Sequence, residues 1–530
     1  MYRIISTIAL SIISSIGIIN AQCPEIIWQD EFEKTTLDVT KWSYQNGNGC
    51  DIGLCGWGNN ELQWYQPENV EVSSGTLKID AKKEKVENSD YTAAKIKTIG
   101  KGDWTYGRFE ASIKLPTGRG LWPAFWMLPT DKVYGGWPRS GEIDIVELIG
   151  DKPHEIHGSM HYGKVWPNNS NLHESYHLNE GIFNETFHTF AVEWEEGEIR
   201  WLLDDYLYST KRPEDIAPLN WPFDQNFHIV LNVAVGGTWP GNPDETTSFP
   251  QTMEVEYVRV YDGFMPSISG KHQVDKDAKE VTYSIHNAPK TANIEWIIPA
   301  DAELLSGQGT DQIVVNWGQS GGDIKVNIND ACNSKEITLN VQAVEPEVKE
   351  PVIWLSSIEN FDTSNERMIK TFSTGTYTKK VKNPRPDNFN SPDLVAKYNR
   401  NPDDRYDVMV CTISDLNLKG FVEGKHKFFI DIYTDAAPGT EILFQGENNK
   451  IATSSNYPTG RHSRFSALTT KQNEWERLEL EFQNQPDNST KAEEVNQFLF
   501  LFAPNTNSSS TFYFDNFDVY AIEASSVEKK

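Results

Sequence analysis

Short runs in which apolar and polar residues alternate recur along almost the whole chain. Residues 75–80 and 108–114 are typical of the N-terminal part, and residues 312–317 and 478–482 of the later parts. Gly, Pro, Asn and Asp separate these runs, and a helical spacing of apolar residues is nearly absent. An alternation with period two is what a strand with one buried face needs, so the sequence predicts an all-β protein.

The length of 530 residues is too great for one hydrophobic core, so several domains are expected. We predict a jelly-roll sandwich over residues 22–263 and an immunoglobulin-like sandwich over residues 264–345. A charged, Pro-containing linker follows at 346–352. Residues 353–523 form a further β-sandwich or jelly roll, and the polar residues 524–530 form a tail.

The N-terminus reads as a secretory signal peptide over residues 1–21. Arg3 precedes an apolar stretch, and the small residue Ala21 lies at the cleavage position. The stretch is shorter than the roughly 20 residues that span a bilayer, and no later segment is apolar for longer. The sequence therefore predicts an exported protein without a membrane span.

Five cysteines follow the predicted signal: Cys23, Cys50, Cys55, Cys332 and Cys411. An odd number leaves at least one thiol unpaired in an exported protein. Cys50 and Cys55 are close enough in sequence to bridge across a loop, and no pair has the spacing of a metal site.

The net charge of −28 argues against a nucleic acid or an anionic membrane as partner, because both need a basic face. An aromatic content of 12% excludes a disordered acidic chain. Of 17 Trp residues, 13 precede residue 263. The first domain therefore uses flat aromatic rings, either for its core or for a ligand.

Two short motifs are rejected as active sites. Residues 173–177 (HESYH) match a zinc-peptidase motif, but that site needs a helix, and a His-rich surface loop explains the match. Residues 318–322 (GQSGG) match a nucleophile elbow, but a strand pattern rather than a helix follows, so a hairpin turn is expected.

Three acids lie within six residues: Glu142, Asp144 and Glu147. On a regular strand Glu142 and Asp144 share one face, while Glu147 has the wrong parity. A one-residue bulge near Ile145 and Val146 would return Glu147 to the acid face, and such bulges occur beside active sites.

Two glutamates on one face suit retaining glycoside hydrolysis if their carboxyls lie about 5–5.5 Å apart. Like charges this close raise at least one pKa, as a general acid near neutral pH requires. Clustered carboxylates also suit Ca²⁺, although three acids on one flat face surround a cation poorly.

The flanking residues favour a sugar cleft. Trp122 and Trp126 have the same parity on one strand-like run, so they share a face. Indole rings and acids together are typical of a site where pyranose faces and hydroxyls are bound. Further candidate segments are residues 57–61, 160–162 and 236–241.

Residues 26–262 resemble glycoside hydrolase family 16. The resemblance is carried by WQDEF at 28–32, WGNNELQ at 57–63, YGRFE at 106–110, WPAFW at 122–126, GEIDIVE at 141–147 and YVRVY at 257–261. The lead-in GGWPRSGE at 135–142 looks like the laminarinase branch, the endo-1,3-β-glucanases. The resemblance implies a curved jelly roll with an open cleft.

The resemblance implies that Glu142 is the nucleophile and Glu147 the acid/base, with Asp144 hydrogen-bonded to the nucleophile. It implies no cofactor for catalysis. It also implies these cleft-lining residues: Asn60, Trp122, Trp126, Arg139, His161 and Trp239. A structural Ca²⁺ on the convex side would be held at Glu33, Gly75 and Asp262.

Residues 264–345 resemble polycystic-kidney-disease-type modules, which are commonly spacers, through VTYS at 281–284 and SGQGT at 306–310. Residues 353–523 resemble carbohydrate-binding jelly rolls, mainly through FYFDNF at 512–517. A purely structural β domain is the alternative for this last region.

Together these features predict a secreted, monomeric, retaining endo-hydrolase of 1,3-β-glucan, with a polysaccharide as its only partner. Within the same family the alternatives are a mixed-linkage 1,3-1,4-β-glucanase and a galactan hydrolase. A non-catalytic glucan-binding protein is the alternative from another class.

Overall fold

The computed structural model describes residues 23–166, 169–330, 334–346, 352–361, 367–387, 390, 393–453 and 456–522. The predicted signal peptide, Cys332, nearly all of the predicted linker and the predicted tail lie outside these ranges. The described residues fall into two compact units. The first is drawn from Met1–Val165, Asn171–Arg212 and Pro222–Pro346, and the second from Trp166–Ser170, Pro213–Trp221 and Glu347–Lys530.

Strands dominate both units, which confirms the predicted all-β class. The strands before residue 264 are β1 (Ile26–Asp30), β2 (Ser43–Gln45), β3 (Gln63–Tyr65), β4 (Val70–Ser73), β5 (Thr76–Ala81), β6 (Tyr91–Ala93), β7 (Lys95–Lys97), β8 (Gly107–Lys114), β9 (Leu121–Pro129), β10 (Glu142–Glu147), β11 (Glu155–Gly163), β12 (Asn169–His177), β13 (His188–Glu195), β14 (Glu198–Leu203), β15 (Tyr206–Lys211), β16 (Phe227–Val235) and β17 (Gln251–Tyr261).

The later strands follow the same pattern. They are β18 (Ser267–Gly270), β19 (Gln273–Asp275), β20 (Val281–His286), β21 (Asn293–Ile297), β22 (Glu303–Ser306), β23 (Gln312–Asn316), β24 (Gly322–Asn329), β25 (Ser334–Val344), β26 (Val352–Glu359), β27 (Met368–Ser373), β28 (Thr376–Lys382), β29 (Leu394–Asn399), β30 (Met409–Ile413), β31 (His426–Thr434), β32 (Glu441–Glu447), β33 (Arg461–Leu468), β34 (Glu476–Asn484), β35 (Gln497–Phe502) and β36 (Thr511–Ile522). The helical segments are single turns: α1 (Pro213–Ile216), α2 (Lys419–Val422) and 3-10 turns at Cys50–Ile52, Cys55–Gly58, Pro67–Asn69 and Ala492–Glu494.

Two sheets form the sandwich of the first domain. One has the order β12-β11-β10-β9-β16-β7-β2, and the other runs β15-β14-β13-β8-β17-β5-β4, with β1 also paired to β17. Strand β10 shows how the alternation works, because Ile143 and Ile145 are fully buried while Glu142 and Glu147 are only partly covered. The first sheet therefore buries one face in the core and presents the acids on the other.

Several of the early tryptophans are core residues. Trp42, Trp194 and Trp201 are completely buried, so they supply apolar contact area rather than an accessible ring face. Core packing therefore explains part of the abundance of Trp in this domain.

The second module is joined to the first domain by a continuous sheet. Strand β18 pairs in parallel with β15 through Tyr206 and Ile268, and β20, β23 and β22 extend the sheet to twelve strands. Strands β19, β25, β24 and β21 form the opposite layer. The module is therefore part of the first compact unit, where a spacer was expected.

Two of the loop predictions are wrong. Residues 318–322 connect β23 to β24, which lie in different sheets, so this segment crosses between layers and is not a hairpin turn. Residues 173–177 lie on β12 and not in a loop. On a strand, two His residues four positions apart are about 13 Å apart, which still rules out their sharing one zinc ion.

The second unit is itself a β-sandwich. Its sheet order is β27-β30-β35-β32-β33-β34-β31-β36-β29-β28, with β26 paired to β36. Phenylalanine fills the core, for example at Phe428, Phe444 and Phe500. Cys411 is a buried free thiol in this core, as the odd cysteine count predicted, while Cys50 and Cys55 form a disulfide. None of the helices in the described residues is long and apolar enough to cross a membrane.

Candidate active site

The three acids of β10 face the same side of the sheet. The register with β11 places Glu142 opposite His161, Asp144 opposite Ser159 and Glu147 opposite His157. It shifts between Asp144 and Glu147, so the predicted bulge is present and Glu147 returns to the acid face.

Asp144 lies at the centre of this group and is only 2% exposed. Its Oδ2 accepts a hydrogen bond from Ser159 Oγ at 2.6 Å and lies 3.3 Å from His161 Nε2. The indole N–H of Trp201 donates to its backbone carbonyl. Oxygen atoms of Asp144 and Glu142 lie within 4.8 Å of each other, and the hydrogen bond expected between them stays a prediction.

Glu142 has one oxygen bound to an indole and the other near a histidine. Trp137 Nε1 donates to Oε2 at 2.8 Å, and His161 Nε2 lies 3.9 Å from Oε1. Burial, and then the charge of Asp144, raise the pKa of Glu142 to about 7, while His161 and the Trp137 N–H oppose the shift.

Glu147 has a different set of neighbours. Trp122 Nε1 donates to Oε1 at 2.9 Å, and Ser159 Oγ donates to Oε2 at 3.3 Å. Burial, followed by the charge of Asp144, raises the pKa of Glu147 to about 8. Both glutamates therefore hold a proton to a higher pH than an exposed carboxyl does.

His161 supplies positive charge to the cluster. Burial alone would lower its pKa, but the hydrogen bond with Asp144 and the charges of Glu142 and Glu147 raise it to about 9. Glu142, Asp144 and His161 form the only group in the described residues whose side-chain ligand atoms could hold a metal ion, all within 4.8 Å. A protonated imidazole has no free lone pair, so a metal would have to displace that proton.

Aromatic rings line the same face. Trp122 and Trp126 are partly exposed on β9, as their spacing predicted, and Trp126 donates to Asn232 Oδ1 at 2.7 Å. Trp239 is 43% exposed and packs edge-on against Trp122, with ring centroids 5.4 Å apart. The site thus has exposed ring faces beside ionisable carboxyls.

The remaining predicted cleft residues occupy two loops. Asn60 donates to Thr238 Oγ1 at 3.0 Å and so ties its loop to the one that carries Trp239. Arg139 lies exposed in the loop before β10, and its backbone N–H donates to Gly136. The structure therefore brings Asn60, Trp122 and Trp239 together, while Arg139 lies on the rim.

Lys95 is a neighbour of the acids that the sequence analysis missed. Its Nζ lies 4.6 Å from the ring centroid of Trp126, 5.0 Å from that of Trp57 and 5.8 Å from that of Tyr65. Burial lowers the pKa of Lys95 to about 8, while Glu61 and Glu142 oppose this. No motif marks this lysine, because only the pairing of β7 with β16 brings it to the acid face.

Two further side chains around the acids were not singled out. Trp137 lies in the lead-in to β10 that the sequence analysis quoted, but its hydrogen bond to Glu142 was not predicted. Ser159 bridges Asp144 and Glu147 from β11, and a lone Ser carries no spacing signal that could have identified it.

The residues predicted for Ca²⁺ lie away from the acids. Glu33 is exposed after β1, and Gly75 lies in the turn between β4 and β5. Asp262 follows β17, and its Oδ1 accepts the backbone N–H of Glu25 at 2.8 Å. A cation there would use two exposed carboxylates and a backbone carbonyl, which is a suitable type of donor set, and the Ca²⁺ site stays a prediction.

Sequence comparison identifies the family. The profile described as "Glycosyl hydrolases family 16" matches residues 58–259, and the one described as "PKD-like domain" matches residues 264–343. The "Beta-glucanase" of Rhodothermus marinus is 43% identical over 249 residues, which cover 45% of this chain and 85% of that protein. The chain belongs to glycoside hydrolase family 16.

Other proteins are similar over about the same share of the chain. The "Glucan endo-1,3-beta-glucosidase A1" of Niallia circulans is 42% identical over 258 residues, covering 44% of this chain and 37% of that one. Among solved structures, the laminarinase catalytic domain of Thermotoga maritima MSB8 is 42% identical, with a TM-score of 0.44. That match covers 46% of this chain and 100% of the other. The profile matches lie inside the predicted first and second domains, whose boundaries stay predictions.

Proposed function

We propose that the protein is a secreted, monomeric, retaining endo-hydrolase of 1,3-β-glucan. The observation that carries the mechanism is the pair of glutamates that a bulged strand brings to one face, both with raised pKa values. The names of the Rhodothermus relative, a β-glucanase, and of the Niallia relative, a glucan endo-1,3-β-glucosidase, favour a 1,3-linked β-glucan as the substrate.

Glycosylation starts with Glu142 ionised and Glu147 protonated. The Glu142 carboxylate attacks the anomeric carbon and forms a glycosyl ester, while the bond to the leaving oxygen breaks. The proton of Glu147 passes to that oxygen, so the departing sugar leaves as a neutral alcohol. The raised pKa of Glu147 suits it to be the acid in this step.

Deglycosylation reverses these roles. The Glu147 carboxylate takes a proton from water, the water oxygen attacks the anomeric carbon, and Glu142 departs as a carboxylate. His161 and the indole N–H of Trp137 lie beside that carboxylate and stabilise its negative charge. The mechanism expects the two glutamate carboxyls to lie about 5–5.5 Å apart.

The substrate lies against the rings of Trp122, Trp126 and Trp239, whose faces suit the C–H surface of a pyranose. Asn60 and Arg139 are proposed to bind hydroxyl groups of the substrate. The second unit is proposed to bind carbohydrate as an accessory module, and a Ca²⁺ on the convex side is proposed to have a structural role only.

Product analysis on laminarin, lichenan and agarose in parallel tests this proposal. We expect oligosaccharides from laminarin, and no laminarin cleavage by Glu142→Ser although binding survives. Faster cleavage of lichenan would favour the mixed-linkage alternative, and cleavage of agarose would favour the galactan hydrolase. Binding without any cleavage by the wild-type protein would favour the glucan-binding protein.

A further inference from the structure

His157 lies on the strand face that carries the active site, and the proposed mechanism assigns it no role. Three residues of β11 lie opposite the three acids of β10, and two of them, Ser159 and His161, contact carboxylates directly. His157 is the third and lies opposite Glu147. Its position in the register suggests that it serves the same chemistry by another route.

Three neighbours hold the ring of His157, and one of them is Glu155, whose Oε1 lies 3.8 Å from Nε2. His157 is only 9% exposed, and Nδ1 lies 2.8 Å from Ser175 Oγ on β12. Its ring packs against Trp239, with centroids 5.0 Å apart and planes at 64°. Burial lowers the pKa of His157, which favours a neutral ring beside the indole.

A continuous series of contacts then leads to Glu147. Trp239 packs on Trp122 at 5.4 Å, and the Trp122 indole N–H donates to Glu147 Oε1 at 2.9 Å. Trp239 lies on a loop and is 43% exposed, so few neighbours fix its orientation. Within the described residues its ring packs on two others, those of Trp122 and His157.

We infer that His157 is a positioning residue for Glu147. Its ring holds Trp239 against Trp122, and this contact keeps the indole N–H of Trp122 on the carboxyl that protonates the leaving oxygen. The inference rests on the proposed function, because it takes Glu147 as the general acid.

The role has a specific kinetic consequence. A sugar alcohol is a poor leaving group and needs the proton of Glu147, whereas a dinitrophenolate leaves without one. A disturbance at Glu147 therefore slows cleavage of a glucan more than cleavage of an activated aryl glycoside. A general loss of folded structure would slow both reactions equally.

The experiment compares laminarin with 2,4-dinitrophenyl β-laminaribioside as substrates of the full chain. His157→Ala is expected to lower kcat/KM on laminarin about tenfold, with the value on the aryl glycoside changed less than about twofold. The alkaline limb of the laminarin profile should move to higher pH, because Glu147 loses a donor that stabilises its charged form.

His157→Phe retains a ring against Trp239 and should restore most of the laminarin activity. His173→Ala, at an exposed position on β12, is the matched control and should leave kcat/KM on both substrates unchanged. If His157→Ala does not fold, Ser175→Ala replaces it and should show the same bias, about threefold.

Equal losses on both substrates, or no loss on either, would overturn the inference. The proposed function is tested separately by Glu147→Gln, which must show a large dependence on the leaving group. If Glu147→Gln shows none, the assignment of the acid fails, whatever His157 does.

Discussion

Two clusters of buried carboxylates lie on the two sheets of the first domain, and they differ in how their charge is balanced. One is the acid group of β10. The other surrounds Arg108 of β8, which is 1% exposed and donates to Glu110 at 2.7 Å, Glu193 at 3.1 Å and Asp205 at 2.9 Å. The acids of the first cluster all lie on β10, whereas Glu110 and Glu193 lie on the adjacent strands β8 and β13 and Asp205 lies in the turn before β15.

The difference lies in the cations. Burial would raise the pKa of Asp205, but Arg108 and Lys335 lower it overall, so this acid stays ionised. Glu193 also accepts the side chain of Asn287 from the second module, so the cluster ties that module to the first domain. Around β10 the cations do not outweigh burial, and both glutamates keep raised pKa values. Acids whose charge is offset by nearby cations stabilise the fold, whereas acids whose charge is not fully offset can exchange protons with a substrate.

The largest effect is expected from Glu142→Gln. This change keeps the shape and removes the attacking oxygen anion, so turnover of laminarin should fall on the order of 10⁴-fold or more. The free energy of unfolding should not fall. A carboxyl with a raised pKa destabilises the folded state when it is ionised, and Gln removes that charge. Stopped assays measure the turnover and thermal unfolding measures the stability of the same sample. An active or a strongly destabilised variant would contradict the comparison between the two carboxylate clusters.

The opposite result is expected from Arg108→Met. It leaves three buried carboxylates without their shared cation, so the free energy of unfolding should fall by about 3–5 kcal/mol. The turnover of the molecules that remain folded should change little. Arg119→Met is the matched control, because that arginine is half exposed beside Asp244 and should cost less than about 1 kcal/mol. Denaturant titration distinguishes the two.

The pH dependence should have opposite signs in the two clusters. Glu142 and Glu147 have pKa values above their ordinary 4.5, so the folded state binds more protons than the unfolded state between about pH 4.5 and 8. Their contribution to stability is present below pH 4.5 and is lost as the pH rises through this window. The lowered pKa of Asp205 gives a contribution that is lost as the pH falls.

The same values predict the shape of the activity profile. kcat/KM should rise as Glu142 loses its proton near pH 7 and fall as Glu147 loses its own near pH 8.

Unfolding titrations of the wild type and of a Glu142→Gln/Glu147→Gln double variant measure how the two glutamates contribute to the pH dependence of stability. A double variant with unchanged pH dependence would contradict the assignment.

The smallest effect is expected from Lys95→Met. Because this lysine lowers the pKa of Glu142, its removal should move the acidic limb of kcat/KM to higher pH while the alkaline limb stays in place. Lys97→Met is the control, since Lys97 donates to Gln45 and Glu142 is not among the charges that shift its pKa. Equal shifts in both variants would mean that the local charge of Lys95 is unimportant.

Much of the local structure could be predicted because it depends on short periodicities. Alternation placed β5, β8 and β23 to within two residues, and parity alone required the bulge before Glu147. The common face of Trp122 and Trp126 followed from the same rule. These features depend on residues that are close in sequence, which a strand of known parity relates directly.

The errors share one cause. The connection at 318–322 was taken as a hairpin, and residues 173–177 as a loop. Each depends on which strand lies next to which, and the turn sequence or the motif does not contain that information. Lys95, Ser159 and His157 were missed for the same reason, since each reaches the acids only across a strand pair.

The sequence by itself determined that the chain is built of strands, which acids could react and which indoles lie beside them. Only the tertiary structure decided how each acid is used. A carboxyl's pKa depends on burial and on cations within a few ångströms, and those neighbours come from strands far apart in the chain. The same residue types therefore give a fixed structural anion beside Arg108 and a proton-exchanging pair on β10.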